Sequence, residues 1–169
     1  MVSRKILKIT TYTHYKSLSE LMVRFVLIFA VLIWFNFGID SIIGVGIVFS
    51  IDAIFVLYLH FEYWIRNYGE EYEILFDEIV QKKNGIEYRY TNIEIEKIII
   101  FLSPTYYKNS KATLFSMDSY YYAEVVLKTG DKIILTSLLS RNLKDDLKQI
   151  KGVLFESKKR QFCNINKWW

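Results

Sequence analysis

Two long apolar runs near the N-terminus dominate the pattern of the chain. The first covers residues 21–39 and contains only Arg24 and Asn36 as polar side chains, and the second covers residues 42–61. Neither run has the polar stripe at a 3.6-residue period that marks a surface helix of a soluble protein. Because a helix rises 1.5 Å per residue, about 20 residues cross the roughly 30 Å of bilayer hydrocarbon. The pattern predicts a two-helix transmembrane hairpin over residues 21–64.

Two other interpretations of these runs remain open at this stage. A helical hairpin buried in the core of a soluble protein would also be apolar. A cleaved signal peptide would also follow a basic segment, but no small-x-small cleavage site follows the first run and a second run begins almost at once. We therefore favour the transmembrane hairpin.

The charges beside the two runs predict an orientation. Residues 1–24 carry five Lys and Arg against one Glu, the turn between the runs carries none, and more basic residues follow the second run. Basic residues concentrate on the cytoplasmic side of membranes. We expect a multi-pass inner-membrane protein of a bacterium, with a basic cytoplasmic N-terminal segment over residues 1–20 and both termini in the cytoplasm.

Small residues in the second run predict a helix contact. Gly46, Ser50 and Ala53 follow one another at spacings of four and three, so they share one face of a helix. Small side chains let helices approach closely in lipid. The same face could instead serve a homo-oligomer or another membrane protein.

Asp52 lies near the middle of the second run, where a carboxylate costs about 2.5 to 3.5 kcal/mol on insertion scales. One interpretation is an ion or proton site, or a polar contact in an oligomer. The other is an Asp that is protonated or in contact with water and paired across the hairpin. We interpret His60, near the end of the run, as an anchor at the membrane interface and not as a ligand.

Beyond residue 69 the apolar period falls toward two, which is typical of half-buried strands. Asn84-Gly85 is a strong hairpin signal, and Thr129-Gly130-Asp131 closes a second hairpin. A helix capped by Ser140 is expected to follow and to end at Gly152. The pattern predicts about six antiparallel strands and a closing C-terminal helix within residues 69–151.

This order resembles the bacterial PH-like domains found behind a transmembrane helix pair in small membrane proteins. The segments that carry the resemblance are EYEILF, QKKNGIEYRY, NIEIEKIIIF, AEVVLKTGDKIIL and RNLKDDLKQI. It implies a membrane α-helical hairpin plus an α+β PH-like domain with a bent antiparallel sheet. The long segment 103–119 departs from the short turn of such domains. Its Tyr106, Tyr107, Lys108 and Lys111 are expected either to contact a headgroup or partner or to form a solvated or sheet-packed insertion.

The C-terminal residues 152–169 form a basic tail that ends in Trp168-Trp169. Basic residues with Trp suit an anionic membrane surface, at about 1 kcal/mol per Lys or Arg, although an ordinary solvated tail would look the same. The candidate membrane-surface contacts are Arg4, Lys5, Lys8, Lys158, Lys159 and Arg160. Cys163 is expected to be a free thiol.

No catalytic, cofactor or metal site is predicted. The sequence has no phosphate-cradling Gly-rich loop, no HExxH and no GxSxG, and it contains one Cys and two His. Residues 62–169 carry 17 Lys and Arg against 15 Asp and Glu. This balance does not favour nucleic-acid binding.

The leading hypothesis is a non-enzymatic protein whose cytoplasmic PH-like domain binds or scaffolds a partner or lipid at the membrane surface. One alternative is a membrane effector of a cyclic-nucleotide antiviral signalling system, in which the β domain senses a ligand. Another is an accessory subunit of a transporter or channel.

Overall fold

Two long helices form an antiparallel hairpin. The structure, a computed structural model, describes residues 5–108 and 115–166. Helix α1 covers Thr11–Trp34 and helix α2 covers Ile39–Asn67. Thr10 begins α1 with a reciprocal capping box shared with Thr13. Helix α1 therefore begins well before the apolar run, inside the segment that the sequence analysis treated as a separate N-terminal segment.

The apolar side chains of both helices lie largely on the outside. In the most apolar 18-residue window of each helix, only 11% of α1 and 17% of α2 is buried. Both helices are long and apolar enough to cross a membrane. A hairpin in the core of a soluble protein would instead be mostly buried, so the low burial favours lipid as the surrounding solvent.

The rest of the described chain forms eight strands in two four-stranded sheets. The first sheet has the order β1-β2-β3-β4 and the second has the order β7-β6-β5-β8. All neighbours pair antiparallel except β5 and β8, which are parallel. The strands are β1 Lys5–Lys8, β2 Glu70–Ile74, β3 Glu78–Lys83, β4 Ile86–Thr91, β5 Ile95–Leu102, β6 Tyr122–Leu127, β7 Lys132–Thr136 and β8 Leu154–Lys159. Short helices α3 (Pro104–Tyr107) and α4 (Leu143–Leu147) and a 3₁₀ turn (Ser116–Ser119) complete the elements.

The hairpin signals lie where the sequence predicts turns. Asn84 and Gly85 both have positive φ, at 52° and 78°, and join β3 to β4. Positive φ at both central residues is the geometry of a type I′ turn, whose twist matches that of paired strands. Gly130, with φ at 92°, lies in the turn between β6 and β7.

The predicted six-stranded sheet with a closing helix differs from the structure. Helix α4 has only five residues, and Gly152 (φ 77°) turns the chain into β8. The half-buried Val153 and Phe155 pack against the apolar core, so this segment adds a strand to the second sheet. Residues 154–159 of the predicted basic tail are therefore a strand. At the other end, Leu7 is buried and β1 extends the first sheet.

Two apolar cores organise the molecule. The first lies between the two sheets and α4, with members such as Ile79, Ile100 and Leu135. The second joins the helices to the second sheet. Its buried members are Leu21, Val56, Leu59, Tyr63, Tyr120, Tyr122, Leu138 and Cys163. Alternation along β6 serves both cores, because Ala123 and Val125 face the first and Tyr122 faces the second. The sheet domain is thus packed against the helices and is not merely tethered to them.

Candidate functional site

Asp52 connects helix α2 to the sheet domain. Its side chain is buried, and its Oδ2 accepts a hydrogen bond from the backbone N–H of Ser116 at 3.1 Å. Its Oδ1 is 3.5 Å from the backbone N of Met117. The carboxylate therefore supplies the acceptor for the first N–H groups of the 3₁₀ turn, which Phe115 does not cap with its own side chain. Among the described residues, Asp52 pairs with this turn and not, as one of the two interpretations expected, with helix α1 across the hairpin.

The two histidines meet where the helices pack together near the sheet domain. His14 Nδ1 lies 2.7 Å from His60 Nε2, and His60 Nδ1 lies 3.0 Å from the hydroxyl of Tyr120. The rings of Trp64 and His14 also pack in a T-shaped arrangement, with centroids 6.0 Å apart. The ring of His60, which the sequence predicts as an anchor at the membrane interface, is buried within this three-member hydrogen-bonded chain.

Asn67, the last residue of α2, binds the edge of the second sheet. Its Nδ2 donates to the carbonyl of Ile134 at 2.8 Å, and its Oδ1 accepts from the N–H of Thr136 at 3.1 Å. One amide side chain thereby satisfies two backbone groups on the open edge of β7, as a neighbouring strand would. The same Nδ2 donates to Glu70 of the first sheet at 3.0 Å. Asn67 consequently links helix α2 to both sheets.

Glu70 is a buried carboxylate with three hydrogen-bond donors. Besides Asn67, the Tyr72 hydroxyl donates to it at 2.7 Å and Lys83 Nζ donates at 2.7 Å. Burial raises the pKa of the Glu70 carboxyl, but the hydrogen bonds from Lys83, Tyr72 and Asn67 outweigh this effect and hold the pKa below its ordinary value of 4.5. Glu70 therefore stays ionised at neutral pH and fixes the geometry at the end of α2.

The segment after β8 is attached to α2 by three hydrogen bonds, in which Tyr63 of α2 donates one and Glu62 of α2 accepts two. The fully buried Tyr63 donates its hydroxyl to the carbonyl of Cys163 at 2.5 Å. The Glu62 carboxylate accepts from the N–H groups of Ile165 and Asn166 at 3.0 and 2.9 Å. Burial raises the pKa of the Cys163 thiol to about 12, so this thiol is protonated and unreactive at neutral pH.

An open groove lies between the outer face of α2 and this attached segment, and we name it the lateral groove. The wall that α2 contributes is formed by the largely apolar side chains of Tyr58, Phe61 and Ile65. We call the end of the groove nearest the C-terminus of α2 its lower end, and this end carries Arg66 and Lys83. The lining residues are Tyr58, Phe61, Glu62, Ile65, Arg66, Lys83, Ile165 and Asn166. The groove combines an apolar wall with cationic side chains at one end.

The small-residue face is only partly used within the chain. A Cβ placed on Gly46 would meet no atom within 4 Å, and the Ser50 hydroxyl donates to the Gly46 carbonyl of its own helix. Ala53, in contrast, packs against the second core. Helix α1 meets α2 through larger groups, including the rings of Phe25 and Phe49 with centroids 4.9 Å apart.

The predicted membrane-surface residues lie on two different sheets. Arg4 falls outside the described residues. Lys5 and Lys8 belong to β1. Lys5 forms a salt bridge with Asp146 at 2.6 Å, and Lys8 forms one with Glu71 at 3.3 Å. Lys158 and Lys159 are exposed on β8. Arg160 lies over the rings of Phe101 and Tyr122, so its guanidinium is already engaged.

The segment 103–119 is partly described. Ser103 caps α3, and its hydroxyl donates to the carbonyl of Asp118. Tyr106 is half-buried beside Tyr121, while Tyr107 and Lys108 are exposed. Lys111 lies outside the described residues. The described parts of the insertion pack against the junction between the helices and the sheets, which agrees with the expectation of a sheet-packed insertion.

Several contacts at this junction have no local signal in the sequence. The Asp52 carboxylate and the Ser116 N–H are 64 positions apart, and Asn67 and Thr136 are 69 apart. The only sequence hint is the presence of polar residues in an apolar helix, which implies a buried partner without naming it.

Within residues 5–108 and 115–166, no group of three His, Cys, Asp or Glu side chains is arranged to hold a metal ion. In comparisons with family models, curated proteins and solved structures, no match to this chain was found.

Proposed function

We propose that this protein is a membrane-embedded binding protein without catalytic activity. Helices α1 and α2 cross the membrane as a hairpin, and the sheet domain is held on its cytoplasmic surface to bind a partner or lipid. The observation that supports this proposal most strongly is the division of α2 into two faces. Val56, Leu59 and Tyr63 are fully buried against the sheet domain, while Ile47, Ile51 and Ile54 are exposed as a lipid-facing surface requires.

The fixed position of the sheet domain supports a role at the membrane surface. Arg141 of the sheet domain forms a salt bridge with Glu20 of α1 at 2.8 Å and donates to the carbonyl of Lys16. Asp52 and Asn67 add contacts from α2. A domain held in this way presents the same surfaces to the bilayer at all times, which lowers the entropic cost of binding a surface-bound ligand.

We also propose that the sheet domain is a bacterial PH-like domain. The two antiparallel meanders β2-β3-β4 and β5-β6-β7 support this assignment. The parallel strand β8 is an addition to the order that the resemblance implies.

Cysteine labelling tests the membrane topology directly. Ser41, near the turn between the helices, and Ser157, on β8, are both exposed serines, and the native Cys163 is buried. A membrane-impermeant maleimide applied to intact cells should label Ser41→Cys, and should label Ser157→Cys only after lysis. Labelling of both variants in intact cells, or release of the full-length protein by alkaline carbonate, would contradict the proposal.

The binding role needs its own measurement. Photocrosslinking in native membranes from an exposed position of the sheet domain, such as Tyr88, should yield defined protein or lipid adducts. Turnover of a soluble substrate by the purified protein, lost on substitution within the sheet domain, would overturn the non-catalytic assignment.

A further inference from the structure

We propose that the lateral groove binds one anionic phospholipid, with the phosphate at Arg66 and an acyl chain along Tyr58, Phe61 and Ile65. This inference rests on the proposed function, because it requires α2 to cross the bilayer. It adds a ligand class and a site to that function.

The depth of the groove matches the headgroup layer. Counting from Gly38, which begins α2, the roughly 30 Å of hydrocarbon ends near Tyr58 at 1.5 Å per residue. Arg66 is about 12 Å further along the helix. The groove therefore runs from the hydrocarbon boundary through the layer in which lipid phosphates lie.

The apolar wall continues the lipid-facing stripe of α2. Ile47, Ile51 and Ile54 are exposed above the groove, and Phe61 and Ile65 are exposed within it, at 57% and 59%. An acyl chain lying on the upper stripe can thus continue along the exposed side chains of Phe61 and Ile65. Continuity of this kind suits a two-part ligand with an apolar tail and a charged head.

The charges at the lower end favour an anion. The exposed Arg66 forms no salt bridge with any other residue that the structure describes. Lys83 is half exposed and binds Glu70. The Glu62 carboxylate, which would repel a phosphate, already accepts two backbone N–H bonds from Ile165 and Asn166. An exposed Arg guanidinium is well suited to phosphate oxygens.

Helix geometry directs Arg66 toward the membrane. Every Cα–Cβ bond in a helix tilts toward the helix N-terminus, and the N-terminus of α2 lies at the far side of the proposed hairpin. A long Arg side chain at this position can extend its aliphatic part along apolar surface while its guanidinium reaches the phosphate layer.

Native mass spectrometry of the full-length protein in detergent tests the site with phosphatidylglycerol as the probe. We expect one phosphatidylglycerol to remain bound under conditions that remove phosphatidylcholine. Arg66→Gln should lower the bound fraction about ten-fold, as expected for losing one charge-assisted contact. Arg89→Gln is the matched control, because Arg89 is exposed on β4 and pairs with Glu87 and Glu78.

Four further results separate the explanations. Phe61→Ser should also weaken retention, whereas displacement of the lipid by an equal concentration of inorganic phosphate would overturn the assignment to a lipid. Equal retention by the wild type and Arg66→Gln would likewise overturn it. Arg66→Lys keeps the charge and should retain most binding, which guards against a folding defect in Arg66→Gln.

Membrane insertion is measured on the same preparations. A chain that resists carbonate extraction but shows no selective retention overturns the lipid site alone. A chain that carbonate releases overturns the proposed function as well.

Discussion

His14 Nδ1 and His60 Nε2 lie 2.7 Å apart, so helices α1 and α2 meet through the only two histidines in the chain. At this distance one ring must donate and the other must accept, which requires at least one of the two rings to be neutral. Tyr120 continues the chain of hydrogen bonds into the sheet domain. The pair thereby couples the packing of the helices to the packing of the sheet domain.

Replacing the histidines should show this coupling. His14→Ala and His60→Ala are each expected to destabilise the full-length protein by about 1 to 3 kcal/mol, because each leaves a buried polar partner unsatisfied. The double variant should lose less stability than the two single variants lose together, since their shared hydrogen bond is removed only once. Thermal unfolding in detergent measures all three, with the exposed Tyr15→Ala on α1 as the control. Additive losses would contradict a direct interaction.

Asp52 is expected to hold the insertion between β5 and β6 in place. Asp52→Ala removes the acceptor for the Ser116 and Met117 N–H groups, so this segment should be cleaved faster by limited proteolysis. Asp52→Asn keeps one oxygen acceptor and should have a smaller effect. Ser50→Ala is the matched control, because its hydroxyl binds only its own helix. Unchanged proteolysis in Asp52→Ala would show that the 3₁₀ turn does not depend on this carboxylate.

Glu70 should give the protein an acid-sensitive stability. Its pKa in the folded protein lies below the ordinary value of 4.5, so between these values the unfolded chain binds more protons than the folded one. The stabilisation is therefore fully present above pH 4.5 and is lost as the pH falls through the folded-state pKa. Glu70→Gln should flatten this part of the stability profile, measured by thermal unfolding against pH. The half-buried Glu71, which pairs with Lys8, is the control: Glu71→Gln should retain the wild-type slope, and an equally flat slope in that variant would assign the effect to a group other than Glu70.

The reactivity of Cys163 should report on the attachment of the C-terminal segment. In the wild type, alkylation at neutral pH should be slow in the native state and fast in denaturant, because the thiol is buried and its pKa is raised to about 12. Tyr63→Phe removes the hydrogen bond to the Cys163 carbonyl and should increase the native alkylation rate. Tyr68→Phe, at an exposed tyrosine next to the end of α2, should not. An unchanged rate in Tyr63→Phe would indicate that packing alone holds the segment.

Substitution with Leu should affect stability differently at Gly46 and at Ala53, although the two residues share a helix face. A Cβ added at Gly46 meets no atom within 4 Å, so Gly46→Leu should not lower the thermal stability. Ala53→Leu must fit into the second core, and overpacking there should cost about 1 to 3 kcal/mol. If Gly46→Leu alters the oligomeric mass measured by light scattering, Gly46 contacts another chain. Destabilisation by Gly46→Leu without a change in mass would contradict the structure.

Sequence patterns predicted the elements better than their contacts. The apolar runs, the Asn84-Gly85 hairpin and the buried strand at Ile98–Leu102 all have local signals, because periodicity and turn chemistry act over neighbouring residues. Strand β1 was missed because four residues are too few to show alternation, and β8 was missed because its basic side chains resemble a solvated tail. The meeting of His14 and His60 across 46 positions has no local signal at all.

The side-by-side packing of the sheet domain against α2 has a mechanical consequence. Asp52, which already touches the sheet domain, lies about 21 Å from the turn at Gly38, short of the roughly 30 Å hydrocarbon thickness. On the face of α2 that packs against the sheet domain, the proposed arrangement therefore requires hydrocarbon about 9 Å thinner than usual, whereas the opposite, lipid-facing stripe of α2 meets hydrocarbon of ordinary thickness. Such one-sided thinning would make the protein sensitive to the acyl-chain length of the surrounding lipids.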